Sequence, residues 1–524
     1  MKENGRKLRM WIFAGTIAYV LFILICIVSY AIEYLTLNIH VESFSQLLYT
    51  MQVSMGGAEN TIFQILSGFF GSYWLLLSLG TAVFVLYVHL CRRIRAEKEF
   101  PETIRRVISV HSCKPLIKMT AVLCSVCMML GLINQVHIGW NVLGVDEYLE
   151  QRSHYSSLYE DYYVQPDEVQ ITFPEKKKNL IYLYCESMEA TYSDKEHGGA
   201  AEDNLIPNLT SLALDNECFN EKGSNTLNGG RTTNSTSWTV AGIVAQTSGT
   251  PLCQGNGEFT REFDGDSEFM PSLTTLGDIL EKEGYNSLFM CGSEASYGGR
   301  ANYFEQHGNY EIFDLLTARE TGKVPPYYKE WWGFEDEKLF EYAKEAILDL
   351  AQQEEPFNFT MLTADTHFKD GYLCEDCPDD YDEQYENVIA CSDRRIAEFI
   401  EWIQAQPFYE DTTIIISGDH LSMDGLIPEL TGMDYARKTY VCIINGPERE
   451  STEARSYTTL DLFPTTLEAL GAEIEGGRMG LGTGLYNGRQ TLSEELGFDE
   501  FNQEIAWNSH YYNNVILQGD ESSD

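Results

Sequence analysis

Three long stretches without a charged side chain decide what this chain can fold into. Met10–Ile32 runs 23 residues without a charge, enough for an α-helix to cross a bilayer. A second uncharged run covers Thr61–Leu90, with its span at about residues 69–90. A third opens at Met119 and is expected to end near Trp140. None has the short apolar stretch and small-residue cleavage site of a signal peptide, so all three are expected to be retained helices. A buried core helix would read the same by apolarity alone, but not by its flanking charges.

Those charges set the expected orientation. Lys2, Arg6, Lys7 and Arg9 precede the first span. Arg92, Arg93, Arg95, Lys98, Arg105, Arg106, Lys114 and Lys118 lie between the second and third, and Ala31–Ser72 holds no Lys or Arg. The positive-inside rule puts the N-terminus and the basic loop in the cytoplasm and everything after about residue 140 outside. The expected organisation is a membrane domain at residues 1–141 with spans at 10–32, 69–90 and 119–140. A linker at 142–178 and an extracytoplasmic domain at 179–524 follow.

The outer part carries the acid. Residues 1–141 hold 12 Lys+Arg and 7 Asp+Glu, leaving 24 and 72 for the remainder. Such a domain does not suit nucleic acid, whose binding depends on cations that neutralise phosphate. An anionic substrate would need a local cationic pocket or a metal. Only the short polar tail Asp520–Asp524 reads as disordered. Eight of the 13 cysteines fall outside the membrane part, where disulfides are permitted. Cys374-Glu-Asp-Cys377 has a zinc-like spacing, but no second pair follows it. A local disulfide to Cys391 is the expectation, with Cys185 and Cys442 as buried thiols.

From Asn179 onward, short apolar runs alternate with helical patterns. Strands are expected at 179–185 (NLIYLYC), 286–292 (NSLFMCG), 357–363 (FNFTMLT), 412–417 (TTIIIS) and 439–445 (TYVCIIN). Between them lie amphipathic stretches at 272–284, 337–353 and 394–406. Strands apolar on both faces and separated by helices predict an α/β fold with a parallel sheet covered on each side. Ligands of such sheets gather beyond the carboxyl ends of the strands.

The residues there are Glu186 after the first strand, Arg300 in the segment after NSLFMCG, His367 after FNFTMLT, and Asp419 and His420 after TTIIIS. Singly, each has a structural reading: a helix cap, a satisfied core histidine, a surface ion pair. Together at one sheet edge they read as a site. Glu186, Asp419 and His420 offer O, O and N ligands that suit Mn²⁺, Mg²⁺ or Zn²⁺. A metal beside a Ser or Thr oxygen favours the alkoxide, which attacks phosphorus. Arg300 would clamp phosphoryl oxygens bidentately. His367 would donate to a leaving oxygen or deprotonate an incoming one. His197 and His307 sit in loop-like sequence and read as surface residues.

The hydroxyl is sought in GRTTNSTSWTVA (230–241), where Thr232, Thr233, Ser235, Thr236, Ser237 and Thr239 crowd a polar loop. Thr239 stands where the loop gives way to the apolar VAGIVA. A helix N-terminus there would favour an oxyanion and a bound phosphate. The same position suits a residue that only caps the helix, and the boundary alone does not choose between the two. Thr236 and Ser237 are weaker substitutes for the nucleophile.

The segments NLIYLYCESME, IPNLTSLA, WTVAGIVAQTSGTPL, EWWGFEDEKLF, TADTH and SGDH, spread over about Asn179–Tyr511, resemble the membrane-anchored phosphoglycerol transferases. These belong to the alkaline phosphatase/sulfatase superfamily. The resemblance implies an alkaline phosphatase-like, mostly parallel sheet between helices, behind three membrane helices. It implies a catalytic Thr239 that forms a covalent glycerophospho-enzyme and a metal held by Glu186, Thr239, Asp419 and His420. It also implies substrate contacts from Arg300 and His367. Where lipoteichoic acid synthase has a His and a Trp in the Arg300 segment, this chain has Cys291 and Gly298, which favours the branch that modifies periplasmic glucans.

The implied activity moves phosphoglycerol from phosphatidylglycerol to an envelope glycan or polyol-phosphate acceptor, with one divalent ion, Mn²⁺ ahead of Mg²⁺ or Zn²⁺. The implied place is the cell membrane, and no nucleic acid is involved. A phosphoethanolamine transferase would differ mainly in donor headgroup. A sulfatase needs a Cys or Ser in a C/S-x-P-x-R setting, which the Thr239 segment lacks. A non-catalytic envelope receptor would have no need of Glu186, Thr239, Asp419 and His420 together.

Overall fold

The computed structural model describes residues 2–37, 43–52, 61–96, 114–253, 268–432, 435–449 and 451–517. Lys98, Arg105 and Arg106 of the basic loop and the tail Asp520–Asp524 lie outside them. The chain divides into two units, Met1–Phe44 with Glu59–Leu149, and Ser45–Ala58 with Glu150–Asp524.

In the first unit the apolar runs form helices Lys2–Leu37, Thr61–Ala96 and Lys114–Val142. Within them Met10–Thr36, Ile65–Arg92 and Met119–Val142 are long and apolar enough to cross a membrane. Each is longer than the expected span, by four residues at the C-terminal end of the first, four at the N-terminal and two at the C-terminal end of the second, and two at the C-terminal end of the third. The first helix packs on the other two. Small residues let them approach: a Cβ on Gly15 would lie 2.2 Å from the ring of Tyr87. Polar side chains find partners between helices, with Tyr19 and Thr81 sharing a 2.7 Å hydrogen bond and Tyr87 donating to the Trp11 carbonyl at 2.7 Å. Phe13, Leu75 and Leu123 point outward and exposed, as lipid-facing side chains do. The chain is a membrane protein.

The second unit is organised by one seven-stranded sheet. Its strands are β1 (Asn179–Cys185), β2 (Gly229–Gly230), β3 (Asn286–Cys291), β4 (Glu311–Phe313), β5 (Phe357–Leu362), β6 (Thr412–Gly418) and β7 (Thr439–Ile444). The order is β2-β7-β6-β1-β5-β3-β4, so the strand that leads to Glu186 is central. β1 pairs in parallel with β5 and β6, and β3 in parallel with β4 and β5. β7 runs antiparallel to β6, and the edge strand β2 antiparallel to β7. All five expected strands form, but TYVCIIN is the reversed one. Its apolar run carries no mark of direction.

Alternate residues feed two cores. Leu180, Tyr182, Phe289, Ile415 and Val441 pack on one side with helix Thr239–Ser248. Ile181, Leu183, Met290, Phe359 and Ile414 pack on the other with helices Asp336–Leu350 and Gln384–Gln404. Burying each such side chain contributes roughly 1.5–3 kcal/mol, so the strand ends are a rigid platform. Residues 142–178 are not bare chain. They hold helices Val145–Ser153 and Leu158–Tyr162 and a strand, Ile171–Thr172, paired with Glu473–Ile474.

Candidate active site

β1 and β6 are adjacent and in register, Cys185 opposite Gly418, so Glu186 and Asp419 leave the sheet side by side. Ser187, at φ 55° in the left-handed region, turns the chain so that its N–H donates to Asp419 Oδ1 at 2.8 Å. The His420 N–H donates to the same oxygen at 2.9 Å. Asp419 Oδ2 is buried and, among the described residues, has no hydrogen-bond partner. It lies 3.4 Å from His420 Nε2, which is 3.3 Å from Glu186 Oε1. Ligand atoms of Glu186, Asp419 and His420 all fall within 4.8 Å of one another. The His420 Nδ1 lies 2.8 Å from the Leu421 carbonyl. A carbonyl only accepts, so Nδ1 carries a hydrogen, and Nε2 is the nitrogen that would bind a metal once its own proton is lost. A buried carboxylate oxygen left without a donor costs free energy unless a cation joins it, so the residues present fit a divalent ion.

The charges are strongly coupled. Burial works to raise the Glu186 carboxyl, but His420 and His367 outweigh it and hold it at about 2. Burial, reinforced by Glu186, pushes Asp419 up to about 7. Burial opposes the imidazolium of His420, yet Asp419 and Glu186 raise it to about 10.

Thr239 Oγ1 lies 3.4 Å from both Glu186 Oε2 and His420 Nε2. Thr239 is the first residue of its helix, the cap position belongs to Trp238, and no side chain caps it. The capping role left open for Thr239 is therefore not the one it fills. Thr236 is spent inside the loop, accepting from the Thr233 N–H at 2.8 Å and donating to the Thr233 carbonyl at 2.9 Å. Gln246 and Gly242 place the helix. Gln246 donates to the Gly418 carbonyl at 3.0 Å and accepts from Tyr182 at 2.9 Å. A Cβ on Gly242 would lie 2.0 Å from the Asp419 carbonyl oxygen. Gly242→Ala must lift the helix, and with it Thr239, off the strand end. It is expected to cost about 1–3 kcal/mol or more in thermal melting of the full chain. Gly425→Ala, with open space around its Cβ, is expected to leave the melting temperature unchanged.

Arg300 and His367 complete the sheet edge without hydrogen-bonding to those four residues. Arg300 is buried, its Nε donating to the Tyr297 carbonyl and its Nη2 to Ser293 Oγ and the Glu294 carbonyl, all at 2.9–3.0 Å. Nε and Nη2 are committed to the loop, which leaves no second edge for the expected bidentate clamp. His367 Nδ1 lies close to the Phe368 carbonyl, at 2.6 Å, and so carries the hydrogen. Burial lowers its pKa, helped by His420 and Arg300 and opposed by Glu186.

Several contributors were not legible in the sequence. Trp331 donates to the Ala364 carbonyl at 3.1 Å, and the Trp332 ring lies 4.8 Å from that of His367. Asp336 accepts from the N–H groups of Ala364 and Asp365 at 2.8 and 3.0 Å. The EWWGFED segment is thus the clasp of the His367 loop. Glu189, fully buried, pairs with Arg437 and accepts from the Ser422 N–H at 2.7 Å, holding the segment after His420. Tyr49 donates to the Gly298 carbonyl at 2.7 Å, two residues before Arg300, and packs its ring 5.6 Å from Trp238, next to Thr239. Only the ESME and EWWGF patterns hinted at any of these. His307 is no surface residue: it is buried, its ring contacting the Phe269 carbonyl at 2.8 Å and Asp278 at 3.2 Å. His197 is half-buried against Asp194.

A central strand leads to Glu186, the adjacent one to Asp419 and His420, and a helix opens on Thr239. The chain belongs to the sulfatase family, whose family model matches residues 178–472. Among its relatives is Phosphoglycerol transferase I of Escherichia coli (strain 55989 / EAEC). That protein is 31% identical over 358 residues, covering 66% of this chain and 43% of the relative. The protein of the same name in Shigella boydii serotype 18 (strain CDC 3083-94 / BS512) matches to the same extent. The chain thus spans less than half the length of these curated relatives. Among solved structures, the lipoteichoic acid synthase LtaP from Listeria monocytogenes aligns with TM-score 0.48 and 14% identity, over 68% of this chain and 95% of that one. The lipooligosaccharide phosphoethanolamine transferase A (EptA) from Neisseria meningitidis aligns with TM-score 0.46 and 12% identity, over 87% and 84%.

Proposed function

We propose that this chain is a metal-dependent transferase that moves phosphoglycerol from phosphatidylglycerol to an envelope glycan or polyol-phosphate acceptor through a phospho-Thr239 intermediate. One observation carries the reading: a helix-opening hydroxyl 3.4 Å from Glu186 and His420, beside a carboxylate oxygen that lacks a donor. The names of the curated relatives supply the phosphoglycerol donor. Residues 179–524 would be the catalytic domain, extracytoplasmic, with the N-terminus in the cytoplasm.

Glu186, Asp419, His420 and Thr239 would hold one divalent ion, Mn²⁺ by preference. When bound it supplies a Lewis acid that lowers the pKa of the threonine hydroxyl and neutralises phosphoryl charge. Thr239 Oγ1 gives up its proton to solvent and forms a bond to phosphorus, and the bond from phosphorus to the diacylglycerol oxygen breaks, that oxygen taking a proton from solvent to leave as diacylglycerol. The helix N-terminus faces the phosphoryl group with its free N–H groups, and Arg300 meets it through Nη1, the nitrogen its loop leaves over. An acceptor hydroxyl then attacks phosphorus and releases Thr239. His367, neutral with its lone pair on Nε2, takes that hydroxyl's proton. Of the two roles open to His367, deprotonation is the one its tautomer favours.

The full chain in detergent with Mn²⁺ is to be incubated with vesicles of phosphatidylglycerol or of phosphatidylethanolamine, and its intact mass measured. A glycerophosphate adduct in the first arm alone is expected. An adduct from phosphatidylethanolamine would overturn the donor assignment. Release of diacylglycerol with no adduct in either arm would overturn the covalent route.

Metal affinity should depend on pH with a defined sign. Ligation needs both carboxylates ionised and a neutral imidazole, so protons compete. With His420 raised to about 10 and Asp419 to about 7, one proton leaves on binding above pH 7 and two below it. Affinity is then expected to rise about tenfold per pH unit above 7 and about a hundredfold per unit below. Calorimetric Mn²⁺ titrations between about pH 6 and 8.5, in buffers of different ionisation enthalpy, measure both the slope and the protons released. A flat profile would remove this ligand set.

A further inference from the structure

A second cluster lies where residues 363–383, which join β5 to the helix Gln384–Gln404, meet that helix, with Cys374 and Cys377 in the joining segment and Cys391 in the helix. The disulfide expected there is absent, and all three cysteines are free thiols. Cys374 Sγ lies 3.1 Å from Cys377 Sγ and 3.7 Å from Cys391 Sγ, and the three sulfurs fall within 4.8 Å of one another. A disulfide would bring two of them to about 2.05 Å. In a tetrahedral site with metal–sulfur bonds near 2.3 Å, sulfurs stand about 3.8 Å apart, close to the Cys374–Cys391 separation. The Cys377 N–H donates to the Cys374 carbonyl at 3.2 Å, so C-E-D-C forms a tight turn that aims both thiols at the helix. Cys374 and Cys391 are buried and Cys377 half-buried.

The charges around the cluster also fit. Arg395 Nη2 donates to Cys374 Sγ at 3.2 Å, and Arg394 Nη2 lies 3.7 Å from Cys391 Sγ. Three thiolates around a divalent ion leave one net negative charge, and these guanidiniums stand where they balance it. Each also reaches a carboxylate, Arg394 at Glu398 and Arg395 at Glu337, which fixes the guanidiniums beside the sulfurs. A disulfide would use two of the three sulfurs and leave the third beside them, whereas one metal ion takes all three.

We propose that Cys374, Cys377 and Cys391 bind a Zn²⁺ ion separate from the catalytic centre, with solvent in the fourth position. Thiolates select zinc over the harder Mn²⁺ or Mg²⁺, so the two centres take different metals. Binding releases the thiol protons to solvent and changes no oxidation state. The ion clamps the segment that follows His367 to the helix. Along that segment Asp370 already donates its N–H to Asp424 at 2.9 Å, and Arg395 ion-pairs with Glu337 at 3.5 Å, next to the Asp336 that clasps the loop. The zinc site does not depend on the transfer reaction proposed above.

The test uses the full chain, purified in detergent, stripped with a strong chelator and reloaded with Zn²⁺ alone. Elemental analysis is expected to find one zinc per chain in Asp419→Asn, whose catalytic centre is disabled, and none in Asp419→Asn combined with Cys391→Ser. Against misfolding of the double variant, the stripped Asp419→Asn chain titrated with Co²⁺ should develop sulfur-to-cobalt charge-transfer absorption. The three thiols should resist alkylation until the metal is removed. Loss of two hydrogens in the denatured intact mass, with only one of the three thiols alkylatable and no zinc bound, would overturn the proposal in favour of a disulfide. Zinc retained in the double variant, or no charge-transfer band, would overturn it as well.

Discussion

Thr239→Ala is expected to abolish the covalent adduct and to lower transfer by at least about 10³-fold, as removal of a catalytic nucleophile does. The neighbouring hydroxyls are expected not to rescue it. Thr236 is tied to both polar backbone groups of Thr233, and Ser237 precedes the helix that aims Thr239. The fold should survive. Its hydroxyl caps no helix, and among the described residues the partners of that hydroxyl are Glu186 and His420, both at 3.4 Å. Intact-mass measurement after incubation with phosphatidylglycerol, together with the rate of diacylglycerol release, decides the matter. An adduct at full yield in the variant would move the nucleophile elsewhere.

The second large effect is expected from Asp419→Asn. The variant should lose its high-affinity divalent ion and at least about 10³-fold in transfer rate, equivalent to about 4 kcal/mol of barrier. Its metal-free fold should be no less stable than that of the unaltered chain. An asparagine oxygen can still accept the Ser187 and His420 N–H groups that Asp419 Oδ1 holds. Its amide would fill the position of Oδ2, which has no donor, beside Glu186 and His420. The charge lost is one that burial and Glu186 disfavour, since they push Asp419 up to about 7. An acid raised in this way destabilises the fold once it ionises. In chelator the unaltered chain should therefore lose part of its advantage as pH rises from the ordinary carboxylate range toward 7. Asp419→Asn should not. Melting temperatures with chelator and with Mn²⁺ separate the effects: Mn²⁺ should stabilise only the unaltered chain. Equal stabilisation of both would rule out Asp419 as a ligand.

Much of this was legible because it is local. The membrane spans follow from unbroken apolar runs, and the five main strands from short runs bounded by polar turns. The residues beyond four of those strands stand out because the open end of a parallel sheet is where backbone leaves room for chemistry, and the structure brings Glu186, Asp419 and His420 together there. The helix at Gln384–Gln404 was expected only from residue 394. Its first half buries Tyr385, Val388 and Ile389 but follows an acidic loop that masks its start. The contributors that escaped notice act across long separations: Glu189 meets Arg437, Asp336 clasps Asp365, and Tyr49 reaches Gly298.

The sequence by itself determined which elements form and which side chains stand at their ends, since both depend on neighbours within a few positions. Only the tertiary structure decided which hydroxyl faces Glu186 and His420, which ring nitrogen of His367 and of His420 turns to a backbone carbonyl, and that Arg300 is anchored by its own loop. It alone brought Cys391 beside Cys374 and Cys377 without a bond between them. Each of those depends on distances between groups remote along the chain. Such distances are fixed by the register of β1 with β6 and by the close approach of Gly242 to Asp419, neither of which a linear pattern records.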